Sequence, residues 1–249
     1  MDDIFLPGVP REHVLERLAK AGGNEVESGK LSSSESSAAL AINTIGWFIP
    51  RPADLPAFPG LDSPDWPPIA VDVEYCARFP WSGGRHPWLD AIVETEDRII
   101  GIESKRFEPF RDKKVVSLSE AYDRPVWGDE MQPFERMRDH LRSGEEKFTH
   151  LDAAQLVKHA FGLVTEGRRK SKRPALLYLY AEPRNRGRVA INAADIEAHR
   201  HEVANFREMV RDAAVEFAAC SYVEWLSSWP IDDPEMNEHR QRVVATFDP

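Results

Sequence analysis

Apolar positions recur three and four apart in PREHVLERLAKA, residues 10–21, which predicts a short amphipathic helix. GGNEVESGK breaks it. SSSESSAALAINTIGWF, residues 32–48, reads as a second helix, with Ser32 as N-cap and Glu35 three residues on. Seven prolines between Pro50 and Pro68 exclude helix and central strand and predict a long ordered loop or an extended arm. Three strands follow. IAVDVEYCARF (69–79) alternates apolar and polar, PWSGGRH turns, and WLDAIVE (88–94) and RIIGIESKRF (98–107) form a hairpin around TED. Residues 108–129 are irregular, and helices are expected at 130–143 and 151–166. RPALLYLYAEP (173–183) is apolar on both faces, the mark of a central strand. A polar helix near 193–212, an apolar strand at 215–226 and a short terminal helix close the chain, and no internal repeat is present.

This order, helix, three-strand meander, helix, strand, then helix and strand again, predicts an α/β (α+β) fold with a mixed central sheet flanked by helices. The step from the third strand through helix 151–166 to the fourth is expected to be a right-handed parallel crossover. The 249 residues are read as one domain, with a core at about 32–183 and a C-terminal extension at 184–249.

Composition narrows the function. A net charge of −10 excludes a surface basic all over, so any nucleic acid must meet a local basic groove. Cys76 and Cys220 lie far apart in apolar runs and read as buried free thiols, which fits the reducing cytoplasm. The acidic opening MDDIFLPGVPREHV is not a secretory signal, and no stretch approaches a membrane span.

The hairpin carries charges where a core element should not. With its turn centred between Glu96 and Asp97, Asp90 and Glu103 fall directly opposite each other, with Cβ atoms about 4.5–5.5 Å apart. Period two puts Lys105 on the face of Glu103. Two carboxylates so close repel unless a cation sits between them. Mg2+, for which Mn2+ can substitute, suits one or two carboxylates with waters and phosphate oxygens, and the Ser104 carbonyl could add a ligand. Lys105 could then orient or deprotonate a water, or steady charge at phosphorus, and the reaction implied is phosphodiester hydrolysis. The bland alternative is a cross-strand ion pair between Asp90 and Lys105. Asp112–Lys114 and Glu145–Lys147 repeat the acid-spacer-lysine spacing outside any apolar strand. Glu74, midway along the first strand, is a rival third carboxylate or an exposed polar position.

Asp90, twelve intervening residues and then Glu103-Ser104-Lys105 resemble the PD-(D/E)XK nuclease superfamily, the restriction-endonuclease-like fold. The element order matches that family's core over residues 32–183, about 60% of the chain. Leu89 stands where the family usually has proline. The segment from Ser32 is similar to the start of a bacterial subgroup of proposed restriction endonucleases. The resemblance implies a Mg2+-dependent endonuclease acting on nucleic acid, with DNA favoured, of restriction or repair type, and it leaves a homodimer open because many relatives cut duplexes as dimers. It further implies that Glu35, on the first helix, faces the metal, the alternative being a capping box with Ser32. Gln155 and Lys158, three apart on helix 151–166, would reach the scissile phosphate or the attacking water, or else form a polar helix face.

Two basic runs remain. GRRKSKR (167–173) falls at the far end of the sheet from Glu103, and its cations suit a helix C-terminus. PRNRGR (183–188) falls at the near end, so Arg184, Arg186 and Arg188 are the expected phosphate contacts, with Arg106 beside the site and FRDKK (110–114) along the groove. The eight histidines form no metal-ligand spacing, and there is no glycine-rich phosphate loop. The residues do not separate DNA from RNA, or duplex from single-stranded or branched substrates. A non-catalytic module on the same fold, binding nucleic acid or a protein, is the alternative from another class.

Overall fold

The computed structural model describes residues 4–21, 29–62 and 64–249. Helix α1 (Arg11–Ala21) buries Val14 and Leu18, one turn apart. The next helix, α2, is Ser37–Thr44, shorter than expected from residues 32–48. Its cap is Ser36, whose hydroxyl accepts the Ala39 N–H at 3.0 Å. Ser32 is therefore not the cap, and no capping box forms with Glu35. Five of the six residues from Ser32 to Ser37 are serines, and the one next to the apolar run AALAI takes the role. Residues 46–48 turn as a 3-10 helix.

The proline-rich segment is an ordered loop, as expected. Leu55, Phe58 and Leu61 are buried. The Trp66 indole donates to the Leu55 carbonyl at 2.7 Å, and the Phe58 and Trp225 rings lie 4.7 Å apart.

Strands β1 (Ala70–Cys76), β2 (Trp88–Glu94) and β3 (Arg98–Lys105) form the meander. A short helix, α3 (Glu108–Arg111), leads through irregular chain to α4 (Gln132–Ser143) and the long α5 (Ala153–Lys170). Strand β4 (Arg173–Tyr180) follows, then a two-residue ribbon of β5 (Asn185–Arg186) and β6 (Val189–Ala190). Helix α6 (Ala193–Met209), strand β7 (Glu216–Ser221) and helices α7 (Tyr222–Ser227) and α8 (Pro234–Phe247) complete the chain. The apolar run at 215–226 is thus half strand and half helix. Ser221 and Glu224 form a capping box that turns the chain at Tyr222.

The five-stranded sheet has the order β1-β2-β3-β4-β7. β1, β2 and β3 pair antiparallel, whereas β4 and β7 join parallel. This is the mixed sheet expected, with helices on both faces. One face packs against α1, α2, α7 and α8 through Val73, Ile102 and Leu177, among others. The other packs against α4, α5 and α6 through Ile92, Ile99 and Leu176. Close packing of α5 depends on two glycines. A Cβ on Gly101 would sit 2.7 Å from Leu89, and one on Gly162 would sit 2.7 Å from Ala77. Buried β3 and tight α5 set the position of the site, at the C-terminal end of β3.

Candidate active site

The hairpin pairs as expected from its turn. Ala91 faces Ile102 and Glu94 faces Ile99. One more step would pair Asp90 with Glu103, but the ladder stops short of it. Instead the Asp90 carboxylate takes the strand's place, with Oδ2 accepting the Ser104 N–H at 2.6 Å. The same row is interrupted on the other side. Val73 faces Ala91 and Tyr75 faces Leu89, and Glu74, across from Asp90, has φ of 51°. That left-handed conformation is costly for a residue with a side chain. Its effect is on the pleat. Val73 and Ala91 join the core beneath α2, but Tyr75 and Leu89 join the core beneath α5. Residues two apart on a regular strand share a face, so alternation breaks at Glu74 and Asp90. Arg17 of α1 donates to the carbonyls of Val73 (3.1 Å) and Glu74 (3.2 Å), bracing the irregular turn.

Glu103, Asp90 and Lys105 gather where the ladder opens. Glu103 is 2% exposed. One oxygen meets the Lys105 ammonium, which shares its face as period two requires. The other oxygen lies 2.8 Å from His159 Nε2 on α5. Burial alone would push the Glu103 carboxyl up, but the Lys105 charge and His159 outweigh it and hold the value at about 2. Burial likewise opposes the Lys105 cation, yet Glu103, Asp90 and Glu108 together raise its pKa above the ordinary lysine value. Asp90 behaves in the opposite way. Burial and then the Glu103 charge push its carboxyl well above the aspartate range, Glu74 adding to the rise, while Lys105 and the Ser104 N–H pull it down. Three acids therefore crowd one row, and the one with an oxygen to spare resists ionising.

Ser104 is buried, and its hydroxyl turns to Tyr222 Oη at 2.7 Å. Gln155 and Lys158 are half-buried on the first turns of α5, beside His159. Burial lowers the Lys158 pKa, with Asp152 opposing.

Other expected residues are elsewhere. Glu35 stands in the turn before α2 rather than within the helix, and its oxygens meet Arg186 (2.8 Å) and Arg111 (2.9 Å). The Arg186 hydrogen bond lowers its pKa, burial opposes, and Arg111 adds to the lowering. Both carboxylate oxygens are thus taken up by arginines, and neither bonds to Asp90, Glu103 or Lys105 among the described residues. Arg106 is 6% exposed, and its two amino groups donate to the carbonyls of Ser34 and Phe247. It clamps the end of β3 to α8 and is withdrawn from phosphate contact. Arg184, Arg186 and Arg188 are exposed on the β5–β6 ribbon, at the same sheet end as Lys105, which pairs in register with Tyr180. The GRRKSKR run lies at the far end, as expected. Arg168 and Arg169 bond to carbonyls of Val126, Trp127, Arg78 and Phe79, and Lys170 pairs with Glu94.

Two neighbours escaped the sequence reading. His159 had a signal: it falls on the buried stripe of α5 with Leu156 and Leu163, where a polar residue needs a partner. Glu108 takes the Arg106 N–H at 2.8 Å and the Ser37 hydroxyl at 2.5 Å. Its signal was its place three residues after Lys105.

Among the described residues, no three His, Cys, Asp or Glu side chains form a ready metal cage. Mg2+ does not need one, since one or two carboxylates with waters and substrate oxygens usually suffice. Asp90 fits that role. It is not fully buried, its Oδ1 takes no hydrogen bond among the described residues, and neighbouring acids favour a cation there. Glu103 fits if Lys105 or His159 yields one oxygen. No described helix is long and apolar enough to cross a membrane. Cys76 and Cys220 are free thiols, the latter buried.

No curated protein and no solved structure matches the chain. A family model described as "Restriction Endonuclease associating with ARP" matches residues 2–247. With nearly the whole length matched and a restriction-endonuclease-like arrangement of strands, the chain belongs to that family.

Proposed function

We propose that the protein is a metal-dependent endonuclease of the PD-(D/E)XK type that hydrolyses phosphodiester bonds in DNA. The observation that carries this reading is the buried Glu103–Lys105 pair set against Asp90 at the opening of the hairpin. The family description supports a nuclease role.

Asp90 and Glu103 would hold Mg2+ or Mn2+, with the Ser104 carbonyl as a further oxygen. A bound ion would supply Lewis-acid polarisation of the phosphate and a more acidic water. Lys105 stays charged beside Glu103, so its part is to orient the attacking water and to offset negative charge building at phosphorus. His159, 2.8 Å from the far oxygen of Glu103, would help to position that carboxylate. Gln155 and Lys158 lie on the same helix face and would steady the scissile phosphate. Arg184, Arg186 and Arg188 would follow the nucleic-acid backbone from the β5–β6 ribbon.

Calorimetric titration of Mn2+ into wild type and Glu103→Gln tests the metal site, alongside incubation of wild type with DNA and RNA in each metal. The reading expects binding that Glu103→Gln weakens at least about tenfold, and cutting of DNA. Metal binding absent from both proteins, with no cutting of any substrate, would leave a nucleic-acid or protein-binding module on this fold.

A further inference from the structure

Arg111 and Arg186 come from separate elements, α3 and the β5–β6 ribbon, yet both point at Glu35. Arg111 Nη1 reaches one carboxylate oxygen at 2.9 Å and Arg186 Nε reaches the other at 2.8 Å. Glu35 is fixed on both sides. Its own N–H is held by the Ser33 hydroxyl at 3.2 Å, the Ser34 carbonyl by Arg106, and the Ser37 hydroxyl by Glu108. The arginines are anchored less. The Arg186 side chain makes no other hydrogen bond or ion pair among the described residues and is 43% exposed. Arg111 is also held edge-on by Asp112, at 2.6 and 3.0 Å.

Two guanidinium groups converging on one anion from different directions form a site for an oxyanion, and planar donor forks suit phosphate as well as carboxylate. The site lies at the C-terminal end of β3 and β4. Arg111 is six residues beyond Lys105, and Arg186 is six beyond Tyr180, the register partner of Lys105. Arg111, Arg186, Glu35 and Asp112 sum to zero charge, so the site presents no net attraction while Glu35 fills it.

We infer that Arg111 and Arg186 form a binding site for a backbone phosphate of the nucleic acid, which Glu35 occupies as a stand-in carboxylate until the substrate displaces it. The inference rests on the nucleic-acid reading above and adds what that reading lacked: a specific phosphate position and an internal competitor for it. It also gives Glu35 a role other than metal ligand. The free protein gives up two exposed ion pairs when a phosphate enters, which weakens binding wherever the rest of the surface fits poorly.

The test is fluorescence anisotropy with a short fluorescein-labelled DNA duplex in EDTA, across a salt series. The proteins are wild type, Glu35→Gln, Arg186→Ala, and the double variant Glu35→Gln/Arg186→Ala. Glu35→Gln keeps the side-chain shape and removes its charge. It should bind roughly fivefold or more tightly than wild type, with a salt slope steeper by about one phosphate contact. Arg186→Ala should bind more weakly, and the gain from Glu35→Gln should shrink sharply in its background. Glu35→Gln binding no tighter than wild type would overturn the inference, as would a gain undiminished without Arg186, which would mark a general charge effect. Thermal melts of each protein verify folding. Because binding in EDTA is read separately from cutting, a protein that binds as expected but never cuts with any metal would retain this site while the nuclease reading fails.

Discussion

The Asp90 carboxylate accepts the Ser104 backbone N–H at 2.6 Å, Asp90 lying one residue and Ser104 two beyond the last ladder pair of the hairpin. The side chain thereby replaces a strand carbonyl and is pinned where the two strands part. Its two duties can be separated. Asp90→Asn keeps an acceptor for Ser104 but removes the group that can ionise and hold a cation beside Glu103. Asp90→Ala leaves the Ser104 N–H without its partner, at about 1–3 kcal/mol. Chemical denaturation should therefore show Asp90→Ala clearly destabilised and Asp90→Asn near wild type. Both should lose metal-dependent cleavage.

His159 is buried with its Nε2 2.8 Å from Glu103 Oε2, a close contact without hydrogen-bond geometry, and neither ring nitrogen has a hydrogen-bond partner among the described residues. Removing it leaves one end of a buried carboxylate uncompensated. His159→Ala should cost roughly 2–4 kcal/mol in denaturation, and His159→Gln, which can still donate to Glu103, should recover part of that. A loss in His159→Ala matched by an equal loss in His159→Gln would mean that volume, not the Glu103 contact, matters.

Lys105 is the only lysine or arginine that touches Glu103 among the described residues. Lys105→Met leaves Asp90 and Glu103 facing each other without it. The variant should be destabilised by roughly 3 kcal/mol in EDTA. Mg2+ should raise its melting temperature more than it raises that of wild type, because a bound cation restores the missing charge. Equal Mg2+ shifts in both proteins would argue that the ion binds elsewhere.

Acid sensitivity should come from two buried histidines, neither of which contacts Asp90 or Glu103 among the described residues. Burial lowers the pKa of His199, near the Tyr178 hydroxyl at 3.0 Å, to about 3, and that of His239 to about 4. Both are depressed below the ordinary value near 6.5, so the unfolded chain takes up protons first. Their contribution to stability is complete above about pH 6.5 and falls away towards the folded values. At about pH 5 each should cost about 2 kcal/mol relative to neutral pH. Denaturation at the two pH values should show this loss, roughly halved in His199→Phe.

The register of the hairpin was legible because a two-residue centre at Glu96 and Asp97 fixes every later pair, and period two then places Lys105 beside Glu103. The break in the pleat was not. It depends on Glu74 adopting a positive φ, and nothing in a glutamate between valine and tyrosine signals that. The buried state of Arg106 was also hidden, since one of its partners is Phe247, 141 residues away. The start of α2 was misread for a local reason: several serines competed for one cap, and Glu35 suggested the wrong one. His159 marks the limit of spacing arguments. Metal-ligand intervals among histidines do not reveal it, because this one meets a carboxylate on a different element.

The most direct test of the central claim is a time course of supercoiled plasmid cleavage by wild type, Asp90→Asn and Lys105→Met, each with Mg2+, Mn2+ or EDTA. The account predicts nicking or linearisation by wild type with metal, none in EDTA, and at least about a hundredfold slower cutting by both variants. Wild-type rates in Asp90→Asn and Lys105→Met, or cutting by wild type that persists in EDTA, would contradict it.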